Sequence, residues 1–377
     1  MKLAHIADLH LGKRLDNFSL FEDQQHILAQ IIDIALKECC DGILIAGDVY
    51  DKSMPSAEAV RLFNDFLTKL SKTDLSVYII SGNHDSPERV DYASEMLKKA
   101  DIHICAEYNG KPDIVTVSDG YGELDICLMP FVKPSTVRAY HPDAEIESYT
   151  DMMRTVIKES GIDLGRRCVM VCHQFITGSS TCDSEYAAVG TLDNIDASVF
   201  EGFDYVALGH LHSPQNVGKN ARYSGTPLKY SVSEIAHKKS VTIVELKGKG
   251  EVEISTVPLT PLRDMIPLKG RYDALMSQEF YKDLDLDAFY SITLTDEDEI
   301  PYVLNKLRTV YKNIVSLNYD NIRTRTETVI TGEVSTETKS PLELFSSLFT
   351  QQMGREMDEA QSEYVRSLIE EIWGNEE

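Results

Sequence analysis

Asp8-Leu9-His10, Gly47-Asp48, Gly82-Asn83-His84-Asp85, His173 and His210-Leu211-His212 each stand directly behind a short apolar run. Five of the ten histidines fall in these blocks. Any one alone reads as a capped or hydrogen-bonded core histidine, but five at the ends of apolar runs read as a metal site. Side chains two apart on extended backbone point the same way, so Asp8 with His10, and His210 with His212, can each face one centre. Carboxylate, imidazole and amide oxygen without thiolate suit borderline-to-hard divalent ions and disfavour a structural zinc. The seven candidate ligands Asp8, His10, Asp48, Asn83, His173, His210 and His212 are too many for one ion that keeps an open position. They suit two ions sharing a carboxylate. Two divalent ions bring +4 and Asp8 and Asp48 return −2. The remaining positive charge matches a phosphodiester, and ions about 3.5–4 Å apart can activate a water between them.

The elements that must position these residues are legible around them. Apolar runs at 3–7, 42–46, 77–80, 124–129, 168–172 and 205–208, then 241–246, read as strands. Segments 25–36 and 57–70 carry helical spacing, with Pro55 and Ser53 marking the start of the second. Near-continuous apolar strands separated by helices indicate an α/β core covered on both faces, and ligands gather at the C-terminal strand ends of such sheets. A second unit follows, with a strand at 289–295, a helix at 299–311 and a strand at 314–319. Residues 331–340 (TGEVSTETKS) read as a linker. Beyond it, Pro341 opens a helix with Leu342, Phe345, Leu348 and Phe349 along one side. Gly354 interrupts, and a last helix presents Met357, Ala360, Tyr364, Leu368 and Trp373.

Composition bounds the function classes. The 377 residues hold 42% hydrophobic and 26% charged side chains, ordinary globular values. No apolar run approaches the roughly 20 residues of a membrane span, and the N-terminal stretch lacks a signal-peptide pattern. Seven cysteines without a C-x-x-C pair suggest free thiols and a cytoplasmic location. There are 37 basic against 61 acidic residues, a net charge of −24. Residues 1–260 carry 25 − 38 = −13 and the rest 12 − 23 = −11, so neither part is basic. A nucleic-acid partner therefore requires local metal charge or a second subunit to supply attraction.

Other candidates are weaker. Arg89 reads as an ion-pair partner of Asp85 or Glu88, and Cys168 and Cys172 as buried packing. Lys238-Lys239 and Arg166-Arg167 read as solvated, and the acidic run at 296–299 as serving the N-terminus of the helix behind it. The apolar side of the last two helices favours docking on a partner helix.

The set DLH (8–10), GDVYD (47–51), GNHD (82–85), His173 and GHLH (209–212) resembles the calcineurin-like metallophosphoesterase superfamily. The segments KLAHIADLHLGK, GDVYDKSMPSAEA and GNHDSPERV, with the tail SPLELFSSLFTQQMGREM, resemble the nuclease-subunit family of bacterial SbcC–SbcD complexes. The resemblance covers nearly the whole chain and is weakest over 105–165. It implies a four-layer α/β/β/α domain over 1–262, a small α+β DNA-capping domain over 263–330, the linker at 331–340, and helices over 341–377 that grip the coiled-coil base of the SbcC ATPase. It implies one ion on Asp8, His10, Asp48 and His212, and a second on Asn83, His173 and His210, with Asp48 bridging and manganese as the metal. His84 would contact the scissile phosphate and Asp85 would orient it. Asp51, where archaeal and eukaryotic relatives carry histidine, would accept a hydrogen bond from His84 or cap the following turn. The implied activity is 3′→5′ exonucleolytic and endonucleolytic cleavage of DNA, within a heterotetramer holding two nuclease subunits. The metal motif alone also fits a stand-alone cyclic-nucleotide or small-molecule phosphodiesterase, which would have no need of the C-terminal third.

Overall fold

The computed structural model describes residues 1–181, 194–325 and 341–373. Cys182, the expected linker 331–340 and the side chain of Trp373 lie outside what is described. The chain forms two units, Met1–Met265 and a second beginning at Ile266. The sequence reading puts that boundary at 262/263 and sets 341–377 apart, whereas here the last helices belong to the second unit.

The first unit runs β1 (Lys2–Ile6), α1 (Phe21–Lys37), β2 (Gly42–Ala46), α2 (Ala57–Leu70), β3 (Ser76–Ile80), β4 (Ile102–Cys105), β5 (Asp113–Asp119), β6 (Gly122–Met129), α3 (Tyr149–Glu159), β7 (Arg167–His173), β8 (Tyr205–Gly209), β9 (Gln215–Val217), β10 (Ala221–Tyr223), β11 (Ser240–Leu246) and β12 (Val252–Pro258), besides shorter helices and a two-stranded ribbon. Two six-stranded sheets result, ordered β12-β11-β1-β2-β3-β4 and β9-β10-β8-β7-β6-β5. The strands that precede the polar blocks are parallel neighbours, β1–β2–β3 in one sheet and β7–β8 in the other. Parallel pairing brings their C-terminal ends to one edge of each sheet.

Strand β7 shows why the runs are apolar throughout. Its Val169 and Val171 enter the core between the sheets with Leu44, Ala46, Tyr78 and Ile80. Its Cys168, Met170 and Cys172 pack on the opposite face with Met152, Met153 and Val156 of α3. Both faces of the strand are buried, so period-2 alternation carries no polar side. In the first sheet Ile43, Ile45, Val77 and Ile79 are fully buried on the face away from the second sheet. Helices α1 and α2 bury Ile27, Ile31, Leu62, Phe63 and Phe66. The first turn of α2 is capped by Ser56, whose hydroxyl accepts from the Ala59 amide at 3.2 Å. This is an α/β fold with two sheets packed face to face between helices.

Two basic pairs differ from the sequence reading. Arg167 is buried, and its guanidinium grips Asp119 at 2.6 and 3.2 Å and the Gly122 and Lys247 carbonyls. Lys239 is likewise buried against Glu234. A long charged side chain that meets all its partners in the interior leaves no trace in local composition. The six described cysteines are free thiols, with Cys168 and Cys172 fully buried. Among the described residues no helix is long and apolar enough to cross a membrane.

The second unit is a three-stranded sheet, β13 (Met265–Gly270), β14 (Phe289–Leu294) and β15 (Asn313–Tyr319), in that order. Strands β14 and β15 are parallel and are linked through α4 (Val303–Leu307). Leu268, Leu275, Tyr290, Ile292, Leu307 and Tyr311 form its core. The helix expected over 299–311 shrinks to α4 because Tyr302, behind Pro301, takes a left-handed φ of 55°. The acidic run does not cap it. Asp296 accepts from the Tyr272 amide at 2.7 Å and Glu297 from the Ile322 amide at 3.0 Å. Helices α5 (Pro341–Met353) and α6 (Glu359–Trp373) follow, with Gly354 between them. Phe345, Leu348, Tyr364 and Leu368 lie exposed to solvent.

Candidate metal centre

The loops behind β1 and β2 keep pairing after the strands end. The Asp8 amide donates to the Gly47 carbonyl at 3.0 Å, His10 to Asp48 at 3.0 Å, and Leu11 to Val49 at 2.9 Å. This ladder places Asp8, His10 and Asp48 together, all buried. The backbone is strained there. Asp8, His10, Asp48 and His210 have φ of 54°, 42°, 48° and 104°, the left-handed region that non-glycine residues avoid at about 1–3 kcal/mol each. Gly82 opens the β3 block because any Cβ there would run into the Asp48 carboxylate.

The candidate donor atoms converge in two groups. In one, Asn83 Oδ1 lies 3.0 Å from His173 Nε2 and 2.9 Å from His210 Nδ1, and Asp48 Oδ2 lies 3.4 Å from His173 Nε2. In the other, His10 Nε2 lies 3.2 Å from His212 Nε2 and 3.7 Å from Asp48 Oδ2, and Asp8 stands within the same cluster. Donors held at about 2.0–2.2 Å from one ion are separated by roughly 3–3.5 Å. The spacing and the chemistry of these donors therefore fit two divalent cations, with Asp48 Oδ2 common to both groups. Its other oxygen accepts from the His84 amide at 2.8 Å.

Neighbours fix which imidazole nitrogens are available. His173 Nδ1 donates to the Ala46 carbonyl at 2.9 Å, and His212 Nδ1 donates to Glu234 Oε1 at 2.9 Å. Each bond commits Nδ1 and leaves Nε2 facing the centre. Burial drives His10 well below the ordinary imidazole range, and drives His210 down to about 3 with help from His173. Burial also opposes charge on His173, but Asp48 and Asp8 outweigh it and raise the group to about 9. Desolvation, with Asp48 adjacent, raises Asp8 to about 7. Asp48 itself stays well below the carboxylate range, because His173 and His10 overcome the cost of its burial. The field of the site thus draws positive charge to Asp48.

The expected catalytic residues are arranged differently from the sequence reading. Asp85 does not hold the His84 ring. Its oxygens accept from the backbone amides of Val49, Tyr50 and Gly82 at 3.0, 2.8 and 2.9 Å. It ties the loops behind β2 and β3 together, because its short side chain lies between two backbones rich in unpaired N–H groups. The His84 ring is held by Asp51 through the main chain, with Nδ1 donating to the Asp51 carbonyl oxygen at 3.0 Å. Nε2 of His84 has no hydrogen-bond partner among the described residues. The Asp51 side chain pairs with Lys13 at 2.8 Å and lies 3.7 Å from His10 Nδ1. Arg89 is exposed, and Glu88 takes its hydrogen bond from Ser86 at 2.6 Å, so the expected ion pair does not form among the described residues.

Three supporting residues, Gln24, Tyr230 and Glu234, escaped the sequence reading, and a fourth, Lys239, reads there as solvated. Gln24 donates to the His10 carbonyl at 2.8 Å and to Tyr230 Oη at 3.1 Å, while Tyr230 donates to the Leu9 carbonyl at 2.5 Å. Glu234 and Lys239 stand behind His212. Burial disfavours charge on Glu234, but the His212 hydrogen bond and the Lys239 ammonium hold its carboxylate below the ordinary range. Only Glu234 had a local sign, an acid inside the otherwise uncharged stretch 230–236.

Comparison with known proteins shows which family the chain belongs to. The calcineurin-like phosphoesterase family matches residues 1–214. A family described as type 5 capsule protein repressor C-terminal domain matches residues 261–353. The SbcD chain of the SbcCD nuclease from Staphylococcus epidermidis is 34% identical over 323 residues, 84% of this chain and 85% of that protein. Its counterpart in Staphylococcus saprophyticus is 32% identical over 84% of each chain. A solved dimetal phosphatase from Danio rerio aligns with 69% of this chain and 99% of its own at 13% identity, with a TM-score of 0.38, too distant to carry an argument. With one family spanning the strand-end blocks and relatives above 30% identity spanning both units, the chain belongs to the calcineurin-like phosphoesterases, in the SbcD family of nuclease subunits.

Proposed function

We propose that this chain is the metal-dependent nuclease subunit of a cytoplasmic complex with an SbcC-type ATPase, cleaving DNA phosphodiester bonds in end processing, repair and recombination. The observation that carries this reading is the convergence of two donor groups on Asp48 in a chain matched along 84% of its length by nuclease subunits. Asp8, His10, Asp48 and His212 would hold one ion and Asn83, His173 and His210 the other, with Asp48 between them. Mn2+ suits this mixture of carboxylate, imidazole and amide oxygen. The ions, when bound, supply an activated water and offset the charge of the phosphodiester. The protein's part is orientation and proton delivery. His84, fixed through Nδ1 on the Asp51 carbonyl, offers Nε2 to the scissile phosphate or its leaving oxygen. Asp85 keeps Asp48 and His84 in register by pinning both of their loops. The first domain carries the chemistry, and 263–330 caps the DNA. Cleavage runs 3′→5′ from ends and endonucleolytically at hairpins, in an assembly of two such chains with two ATPase subunits. The ATPase supplies the basic DNA surface that a chain of net charge −24 lacks.

The test uses the full chain with Mn2+, with and without the SbcC-type ATPase and ATP, on end-labelled duplex DNA, hairpin DNA and 2′,3′-cyclic nucleotides. DNA cleavage stimulated by the ATPase is expected. Efficient cyclic-nucleotide hydrolysis with no DNA cleavage under any of these conditions would establish the small-molecule phosphodiesterase instead. The partner surface has its own test. Phe345, Leu348, Tyr364 and Leu368 are exposed on α5 and α6, and each such side chain buried in a complex contributes about 1.5–3 kcal/mol before ordering costs. Phe345→Glu is expected to weaken capture of the ATPase at least about tenfold in a binding titration. Hydrolysis of bis(p-nitrophenyl) phosphate by the chain alone should be unchanged. Unaltered capture would remove α5 from the interface.

A further inference from the structure

His10 and His212 bring their Nε2 atoms within 3.2 Å of each other, yet they are supported in opposite ways. The Nδ1 atom of His10 is buried without a hydrogen bond. The Nδ1 atom of His212 meets Glu234 Oε1 at 2.9 Å. Glu234 is fully buried at the end of the short turn Val232–Glu234, which Ser231 caps. Its second oxygen receives Lys239 Nζ at 2.6 Å and the Thr226 hydroxyl at 3.0 Å. The same ammonium reaches Thr226 Oγ1 at 2.5 Å and the His212 carbonyl at 2.9 Å. The network therefore holds His212 at both its ring and its backbone.

An isolated buried Glu–Lys pair confers little stability, because desolvation offsets the attraction. One that spends a carboxylate oxygen on a ligand imidazole does something a hydrophobic pair could not. It fixes the tautomer with hydrogen on Nδ1, keeps Nε2 as a lone-pair donor, and raises the basicity of the ring.

We infer that Glu234, paired with Lys239, is the positioning residue of His212 and sets the affinity of the cation site shared by Asp8, His10, Asp48 and His212. The inference rests on the metal-site reading above, and it makes the two candidate cation sites unequal. The site that includes His212 has a charged support behind one ligand, whereas His173 leans on a neutral carbonyl. Loss of Glu234 should therefore weaken one site and spare the other. Because Glu234→Gln alone removes the carboxylate charge that the buried Lys239 ammonium meets at 2.6 Å, the variant to use is the double Glu234→Gln, Lys239→Met.

Mn2+ titration of the full chain, followed by electron paramagnetic resonance and calorimetry, reads each site separately, and thermal melting reports folding. In the double variant one Mn2+ is expected to bind about 10–100-fold more weakly and the other unchanged. Two Mn2+ bound with unaltered affinity would overturn the inference. A second measurement needs no variant at these positions. In the unaltered metal-free chain labelled with 15N-histidine, long-range ring correlations should report His212 as the Nδ1–H tautomer, its signal assigned by loss in His212→Gln. An Nε2–H tautomer there would overturn the inference even if the double variant failed to fold. An unaltered chain that bound no Mn2+ would instead refute the metal-site reading and leave the tautomer result to be judged alone.

Discussion

Asp48→Asn is expected to lower hydrolysis of any phosphodiester, DNA or bis(p-nitrophenyl) phosphate alike, by at least about 10³-fold, equivalent to about 4 kcal/mol of barrier. The structure separates the two jobs of this side chain. Oδ1 accepts from the His84 amide at 2.8 Å, a bond an asparagine oxygen preserves. Oδ2 faces both donor groups, 3.4 Å from His173 Nε2 and 3.7 Å from His10 Nε2. In the variant an amide NH2 takes that place, and it has no lone pair to give a cation. The fold should survive, since Asp8, His10 and Asp48 are assembled by the backbone ladder between the loops behind β1 and β2 and not by the carboxylate. Elemental analysis after equilibration with Mn2+ should find both sites depleted together, with the melting temperature of the metal-free chain little changed. A variant that kept two ions and activity within tenfold of the parent would show that Asp48 is not the shared group.

What the sequence discloses and what it hides follow from how each residue is supported. The candidate ligands stand out because β1, β2, β3, β7 and β8 are buried on both faces, so polarity resumes abruptly where the strands end. Strand β5 escaped notice for the opposite reason. It is an edge strand with alternating half-buried and exposed residues and an Asp at each end. Strand β4 is only four residues long. The resemblance implies that Asp85 orients its neighbour His84, but its hydrogen bonds go to backbone amides up to 36 residues away. Lys239, Gln24 and Tyr230 act through contacts 5 to 221 residues apart, which no local pattern encodes. The strained φ values of Asp8, His10, Asp48 and His210 are invisible to composition as well. They mark the edge where the fold gives up local comfort to bring charges together. The relation is asymmetric. Residues that face a shared centre recur at strand ends and can be read, whereas residues that hold them in place are recruited by tertiary proximity.

His84→Ala should separate chemistry from cation binding. The ring stands against His10 with centroids 4.9 Å apart at 89°, but its own Nδ1 is committed to the Asp51 carbonyl. Asn83 Oδ1, His173 and His210 converge without it, as do His10 and His212. Both Mn2+ should therefore bind the variant with affinities close to the parent's, while DNA cleavage falls by about 10²–10⁴-fold, the usual worth of a proton donor or transition-state hydrogen bond. The leaving group tells which of these roles His84 fills. If Nε2 delivers a proton to the departing oxygen, the loss should be largest on DNA, whose alkoxide is a poor leaving group. It should shrink toward tenfold on bis(p-nitrophenyl) phosphate, whose nitrophenolate departs without help. If Nε2 bonds a non-bridging oxygen instead, both substrates should lose the same factor. Loss of a bound ion in step with activity, measured on the same preparation, would make His84 a ligand and require the cluster it forms with His10 and Asp51 to be read as part of the metal centre.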